Sequence, residues 1–513
     1  MISVVHRSPF IRRSIAWFAG GSVAVLLVLA TAIVSPLLLI GFPLLSLAVL
    51  ALLRWPWIGV ALLIASVPAQ QFGAVGPLTF TRAALLAACA GLLLWWTTGK
   101  QPVIGSRLTL PFLALIGWML VTGHGARDLG LASADLFRWS TALFALLAAL
   151  QVLSGASERR ITIIILTIAV AGALESAFGT ALGLLGSGPA SFLVQDAFAR
   201  AYGTFGRPNT FAGYLEIAVF PVFWLGLYRL QHVNGVLRDY IVARRAGFTG
   251  SAETRWKLVS ATLVTTVLLG ASTIMLAGII ISFSRGAWIG VSAGLAVTLF
   301  VAVRRYWHLV VPAIPVVILV SLVMLTLFAP STLTDRVTSI ADEARPFDAA
   351  SITIDGDNFA VVERMAHWQA GWRMFEDHPL TGVGAGNYNA AYPDYYVRST
   401  FRFSQGHAHN FYIHMLAENG LLGLGIYLTL ILSFAFVALR VVIVSTDRLA
   451  GALALGALGT MTAVYVHNFF ENLHVLNLGV QLSVTWALAL TAHQRWSAVE
   501  AATDVGGVEY SRE

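Results

Sequence analysis

Long apolar runs separated by short polar breaks make up most of this 513-residue chain. A helix needs about 20 mostly apolar residues to cross hydrocarbon. Such runs fall at about residues 14–34, 36–53, 56–70, 80–98, 109–124, 136–153, 160–182, 208–229, 257–281, 286–303, 308–328, 411–438, 448–470 and 474–492. The pattern predicts an all-α polytopic membrane protein with about 12–14 transmembrane helices. It divides the chain into membrane helices with short loops over 1–328, a large external loop over 329–410, C-terminal membrane helices over 411–494 and a small polar tail over 495–513.

Inside the large loop the periodicity changes. Residues 331–358 are polar, acidic and without a clear period, whereas Val361, Met365, Trp368, Trp372 and Phe375 recur at helical spacing. That predicts an amphipathic helix with two indoles, suited to lying at the bilayer interface. His378-Pro379 ends it, because proline disfavours helix in the residue before it. The glycine run Gly382-Val383-Gly384-Ala385-Gly386-Asn387 follows no strand. It therefore reads as a tight turn bringing the loop back over the active face, and not as a nucleotide loop.

Composition agrees with the pattern. Hydrophobic residues make up 58% and charged residues 11%, against about a quarter charged in soluble domains. Orientation follows from the basic residues, since cytoplasmic loops collect them. Arg12 and Arg13, Arg54, Lys100 and Arg107, Arg159 and Arg160, the stretch from Arg229 to Lys257, Arg304 and Arg305, Arg440 and Arg448, and Arg495 fall in alternate loops. Both termini are therefore expected in the cytoplasm and the large loop outside. The net charge of +7 is a mark of topology and implies no nucleic-acid partner. The single Cys89 excludes an intramolecular disulfide.

Candidate chemistry collects in three external segments. Arg200 and Arg207 flank Gly203 and Gly206 just before a span; guanidinium groups stay charged and bind phosphate oxygens bidentately, so the pair suits a diphosphate at headgroup level, with snorkelling to the interface as the alternative. Arg285 sits in the short turn Ser282-Phe283-Ser284-Arg285-Gly286, where a lone charge at a membrane edge is costly. The third segment is Gly406-His407-Ala408-His409-Asn410, leading into a helix on which Asn410, His414 and Glu418 are spaced by four. A satisfied structural histidine is an alternative for His407 and His414.

At these residues the chain resembles the O-antigen ligase and polymerase superfamily. His409-Asn410, nine residues, then Gly420-Leu421-Leu422-Gly423 match the ligase pattern, although Leu424-Gly425 replaces its two threonines. Gly203-Thr204-Phe205 with Pro208-Asn209, Ser284-Arg285-Gly286, and His378-Pro379-Leu380 with Gly382-Val383-Gly384 resemble the family's other blocks in the same order. The resemblance spans about residues 195–425.

It implies a fold comparable to the C-type glycosyltransferases. It also implies metal-independent, inverting transfer of a glycan from undecaprenyl diphosphate to an acceptor sugar hydroxyl, on the outer side of a bacterial cytoplasmic membrane. His409 is then the candidate base, Arg200, Arg207 and Arg285 the diphosphate ligands, and Asn410, His414 and Glu418 supporting residues, with no cofactor and no metal. The partners are a lipid-linked donor, a saccharide or glycolipid acceptor and membrane lipids. The missing threonines favour polymerisation over ligation to a lipid A core. A transporter is the rival of another class, and predicts charges near the middle of several spans. A metal hydrolase built on His407, His409, His414 and Glu418 matches no familiar ligand spacing.

Overall fold

The computed structural model of the protein describes residues 51–52, 54–70, 79–97, 105–194, 198–245, 252–303, 347–355 and 358–509. In the N-terminal half, helices α1 (Pro56–Ser66), α2 (Phe80–Thr97), α3 (Thr109–His124), α4 (Leu129–Leu153) and α5 (Glu158–Leu184) precede a two-residue antiparallel ladder of β1 (Leu193–Val194) with β2 (Phe198–Ala199). Then come α6 (Pro208–Arg245), α7 (Ala252–Ile281) and α8 (Arg285–Ala302). The segment before α11 carries α9 (Phe359–Asp377) and the single turn α10 (Tyr388–Ala391), and the chain finishes with α11 (Phe411–Val444), α12 (Arg448–His467) and α13 (Leu478–Glu509). Among the described residues seven helices are long and apolar enough to cross a membrane, and three shorter apolar helices accompany them. The chain is a polytopic, helical membrane protein. The expected spans at 14–34 and 308–328, and nearly all of 36–53, lie outside the described residues.

Helix starts follow local chemistry. Asp128 accepts from Leu131 N at 3.0 Å, and Asp447 accepts from Leu449 N and Ala450 N at 2.9 and 3.2 Å. Each satisfies amides that a helix leaves unpaired at its N-terminus. One boundary differs from the sequence expectation. The span expected to stop at 229 continues helically to Arg245, because a helix satisfies its own backbone in water as well as in lipid and the segment is rich in helix-favouring Leu, Gln and Arg. Arg229 is held within it by Glu158 Oε1 at 3.2 Å and Thr162 Oγ1 at 2.8 Å.

α13 sits at the centre, packed on α4, α6, α11 and α12. It buries Val484, Trp486 and Leu488, but also Gln481, Ser483 and Thr485. α13 is not among the seven long apolar helices, and a helix packed inside such a bundle gains by turning polar and small residues inward.

The segment before α11 seats on that helix. α9 buries Val362, Met365, Ala366, Ala370 and Met374 and packs against α11. Of the stripe expected on this helix, Met365 is buried against protein, whereas Val361, Trp368 and Phe375 are half-buried and Trp372 is exposed. Tyr388 donates to the His367 carbonyl at 2.8 Å, and Tyr392 to the Phe401 carbonyl at 2.8 Å. Asn387 accepts from Asp128 N at 2.8 Å and donates to Asp128 O at 3.0 Å, tying the loop to the start of α4.

A break in α11 makes this docking possible. At Gly420 the backbone leaves the helix, with φ 65° and ψ −169°. The segment after Pro379 takes over the broken ladder: Leu421 N donates to Pro379 O at 2.9 Å, Val383 N to Ala417 O at 2.8 Å and Gly384 N to Glu418 O at 3.0 Å. Trp118 Nε1 donates to Asn419 O at 2.9 Å. The expected glycine turn is therefore a strap across a broken membrane helix. A Cβ on Gly420 would stand 2.2 Å from the Leu380 carbonyl.

Gly420→Ala is expected to destabilise the protein by about 2 kcal/mol or more, since its backbone lies in a region essentially reserved for glycine and its neighbour is main chain. Gly425→Ala, where a Cβ meets nothing within 4 Å, is expected to melt within about a degree of the parent. Thermal unfolding of the purified proteins in detergent checks both, and equal melting of all three would contradict the strap.

Candidate active site

Glu471 is the centre of the site, in the connector between α12 and α13. Its Oε2 accepts from Asn209 Nδ2 at 2.5 Å, and its Oε1 lies 3.4 Å from His407 Nε2 and 3.4 Å from His409 Nδ1. Asn209 in turn accepts from Arg200 Nη2 at 3.0 Å, and Arg200 Nε donates to Ser282 O at 2.9 Å. Ala201 N donates to Ile281 O at 3.1 Å. The Arg200 segment and the Arg285 turn are thereby stitched together, although they stand some 80 residues apart in sequence. Arg285 is the first residue of α8 and only 6% exposed. Arg207 is exposed at the start of α6, and its charge disfavours protonation of His407.

A hydrogen bond assigns the tautomer of His407. His407 Nδ1 accepts from His409 N at 3.1 Å. Burial and the neighbouring His409 push the His407 pKa well below its ordinary value, so the ring is neutral and its single proton is on Nε2, facing Glu471. His409 Nδ1 lies 3.4 Å from the same carboxylate, and neither of its ring nitrogens has a hydrogen-bond partner among the described residues. Burial alone would raise the Glu471 pKa. The imidazoles of His407 and His409 and the Arg364 charge outweigh it and hold the carboxyl well below its usual range.

His407, His409 and Glu471 bring potential ligand atoms within 4.8 Å of one another, a spacing that a cation can bridge. The tautomer weighs against that use. With Nδ1 accepting a hydrogen bond, the Nε2 of a neutral His407 has no lone pair to offer a metal.

His409 holds an unusual backbone. Its φ is 54°, and Phe283 in the Arg285 turn has φ 51°; non-glycine residues in this region are strained and gather at functional sites. Trp368 Nε1 donates to the His409 carbonyl at 3.2 Å, so the first indole of α9 turns inward to the site. Trp372 points outward and is 46% exposed.

Three expected supporting residues have structural duties. Asn410 caps α11, its Oδ1 accepting from Tyr412 N at 3.0 Å and Ile413 N at 3.1 Å. Glu418 is buried, and its two oxygens accept from Gly386 N and Tyr388 N at 2.9 Å each, which pins the strap. His414 Nε2 lies 3.5 Å from Glu418. The polar stripe expected on α11 therefore enters the bundle, but it holds the segment before α11 more than it lines the Glu471 cluster.

Sequence reasoning missed Glu471, Asn209 and a second buried chain. Ser284 Oγ lies 3.5 Å from His467 Nε2, and His467 Nδ1 is 2.9 Å from Glu216 Oε2. All three side chains are sealed, so the chain fixes the turn that carries Arg285 and offers no accessible nucleophile. Glu216 in the middle of an apolar run was the signal for it, because an intramembrane carboxylate needs a partner. Glu471 follows the apolar run 448–470 and carries no such signal.

Glu471→Gln would place an amide donor against that of Asn209, and is expected to lower the melting temperature at neutral pH. A carboxyl held below its ordinary value stabilises the fold above about pH 4.3, and that stabilisation is lost as pH falls through the folded-state value. The melting gap between parent and variant should therefore close as the medium is acidified below about pH 4.3. A gap that stays constant would remove the ionised carboxylate from the network.

Residues 270–428 match the family model described as O-antigen ligase. The match covers the Arg285 turn, α9, the strap and His409, but not Arg200, Asn209 or Glu471. No curated protein matches the chain. The matched segment carries the strap, the strained His409 and the broken α11 described above, and over it the chain is similar to the O-antigen ligase family.

Proposed function

We propose that the protein transfers a glycan from undecaprenyl diphosphate to an acceptor sugar hydroxyl at the outer face of a bacterial cytoplasmic membrane. The observation that carries this reading is His409, whose Nε2 has no hydrogen-bond partner among the described residues while its Nδ1 lies 3.4 Å from Glu471, beside the stitched Arg200 and Arg285 segments. A sugar hydroxyl is a poor nucleophile near neutral pH. As its oxygen bonds to the anomeric carbon, its proton passes to His409 Nε2. The bond from that carbon to the diphosphate oxygen breaks on the opposite face, with inversion, and the electron pair leaves with undecaprenyl diphosphate. Arg285, Arg200 and Arg207 stabilise the charge that develops there, which fixed guanidiniums do without reorganising. Glu471 holds His409 in the required tautomer and favours the imidazolium that forms. A hollow of about 720 Å³ between α1 and α5, lined mostly by apolar residues but also by Thr167, Glu175 and Thr204, offers room for the polyprenyl chain next to the Arg200 segment.

Polymerisation is the favoured variant of the reaction, and ligation to a lipid A core the alternative. Gly425, where the ligase pattern is broken, is exposed on α11. The departure therefore does not touch the Glu471 cluster, and the lipid-linked species that accumulates on inactivation separates the two. Single repeats accumulate if the protein polymerises; long chains retained on the carrier accumulate if it ligates.

His409→Ala is expected to lower turnover on the order of 10² to 10⁴ with the donor still bound, the usual contribution of a general base. Transfer should persist in chelator, and Arg285→Lys should restore only part of what Arg285→Ala loses, because lysine lacks the planar fork. The assay is transfer from purified donor in detergent. Activity lost in chelator and recovered with magnesium or manganese would assign the leaving-group charge to a cation, and near-normal turnover of His409→Ala would remove it as the base.

The orientation has its own test. With Cys89 replaced, a cysteine at the exposed Ala350 should react with an impermeant thiol reagent in intact spheroplasts, and one at the exposed Asp239 should not. The reverse labelling would overturn both the topology and the mechanism built on it.

A further inference from the structure

α9 has two faces. One is covered by α11 and the loop; the other, toward the C-terminal end of the helix, exposes Trp372, Arg373 and Glu376. On that second face a hollow of about 280 Å³ is lined by Trp368, Gln369, Trp372, Arg373, Glu376 and Ile413. We propose that this hollow is the acceptor-saccharide subsite, binding one or two neutral sugar rings against Trp372. The proposal rests on the glycosyl-transfer reading and adds where the acceptor sits.

Position is the first argument. Trp368, which closes one end of the hollow, is the residue whose indole bonds the His409 carbonyl. Ile413, which supplies its floor, is one helical turn beyond His409 on α11. The hollow therefore shares the Trp368 wall with the candidate base.

Chemistry is the second. Trp372 Nε1 donates to Glu376 Oε1 at 2.8 Å, which fixes the plane of an indole that is otherwise exposed. A flat, preset aromatic face suits the C–H face of a pyranose, and binding costs little ordering when the ring is already held. Arg373 and Glu376 supply a donor set and acceptors for hydroxyls. Their charges cancel, so the hollow has no net attraction for an anion or a cation. Gln369 is occupied elsewhere, accepting from Ala349 N and donating to Phe347 O at 3.2 Å each, and serves as a wall. The volume lies just under the roughly 300 Å³ at which small-ligand pockets begin, which limits the occupant to a terminal sugar or two.

The rival occupant is the lipid headgroup region, with Trp372 as an anchor. An interfacial helix offers a broad apolar face edged with basic residues. Here Val362, Met365, Ala366, Ala370 and Met374 are already buried in protein, and Trp372 stands among Arg373, Glu376 and Asp377, whose charges sum to −1. That balance repels an anionic membrane surface.

The test uses the full chain in detergent without donor, so that no transfer occurs. The probes are oligosaccharides released by mild acid from the producing cell's surface glycan and from its core glycolipid, with binding followed by saturation-transfer NMR. Parent, Trp372→Ala, Trp372→Leu and Trp372→Phe are compared, each first shown to melt like the parent. The expected result is that Ala and Leu both weaken saccharide binding about three- to tenfold, the range of one aromatic stacking contact, while Phe retains part of it. With donor present, the acceptor KM should rise by the same factor and the donor KM stay within twofold.

Binding that is unchanged in Trp372→Ala would overturn the subsite, as would a parent that binds none of the oligosaccharides. So would a Trp372→Leu variant that binds the oligosaccharides as the parent does, since leucine keeps apolar bulk for a lipid contact but offers no aromatic face. Trp372-dependent saccharide binding in a protein that transfers nothing would keep the subsite and refute the transfer reaction.

Discussion

A membrane helix must satisfy its own backbone, and α11 does not. Its ladder breaks at Gly420, and the orphaned groups around the break are met by the strap after Pro379 and by Trp118 from α3. Non-helical backbone at membrane depth persists only where protein takes over its hydrogen bonds. The segment that carries α9 and the strap is thus obliged to sit on α11, and its position is set by main-chain hydrogen bonds instead of by loop composition. Glu418 strengthens the same joint with two accepted amide bonds from the strap.

The placement of the candidate base follows from that joint. His409 lies just ahead of α11, its carbonyl held by Trp368 from the docked α9 and its ring faced by Glu471 from the opposite connector. Two separate elements converge on one residue, which holds its positive φ in place. Loosening the strap is therefore equivalent to loosening the imidazole.

Charge is managed by chains of hydrogen bonds. Arg200, Asn209, Glu471 and the two histidines form one; Glu216, His467 and Ser284 form another behind the Arg285 turn. Buried ionisable groups endure only when each has a partner. In the first chain the partners end on an uncommitted imidazole nitrogen next to arginines, an arrangement that can accept a proton and stabilise a departing anion.

Much of this was legible in the chain. Apolar run lengths gave the membrane class and most span positions, because crossing hydrocarbon is a one-dimensional requirement that composition satisfies or fails. The spacing of Val361 to Phe375 gave α9, and His409 with the glycine blocks marked the family. What periodicity could not show was which polar residues meet. The glycine run read as a turn is a strap only because Gly420 opens the helix it lies across, and Asn410 and Glu418, expected beside the chemistry, are a cap and a clamp. Glu471, the hub of the candidate site, stands more than 60 residues after His409, in a connector with no motif of its own. Hydropathy fixes which segments are buried along the chain, whereas hydrogen-bond partners are fixed by distance in space, and that the packing of α11, α12 and α13 alone decides.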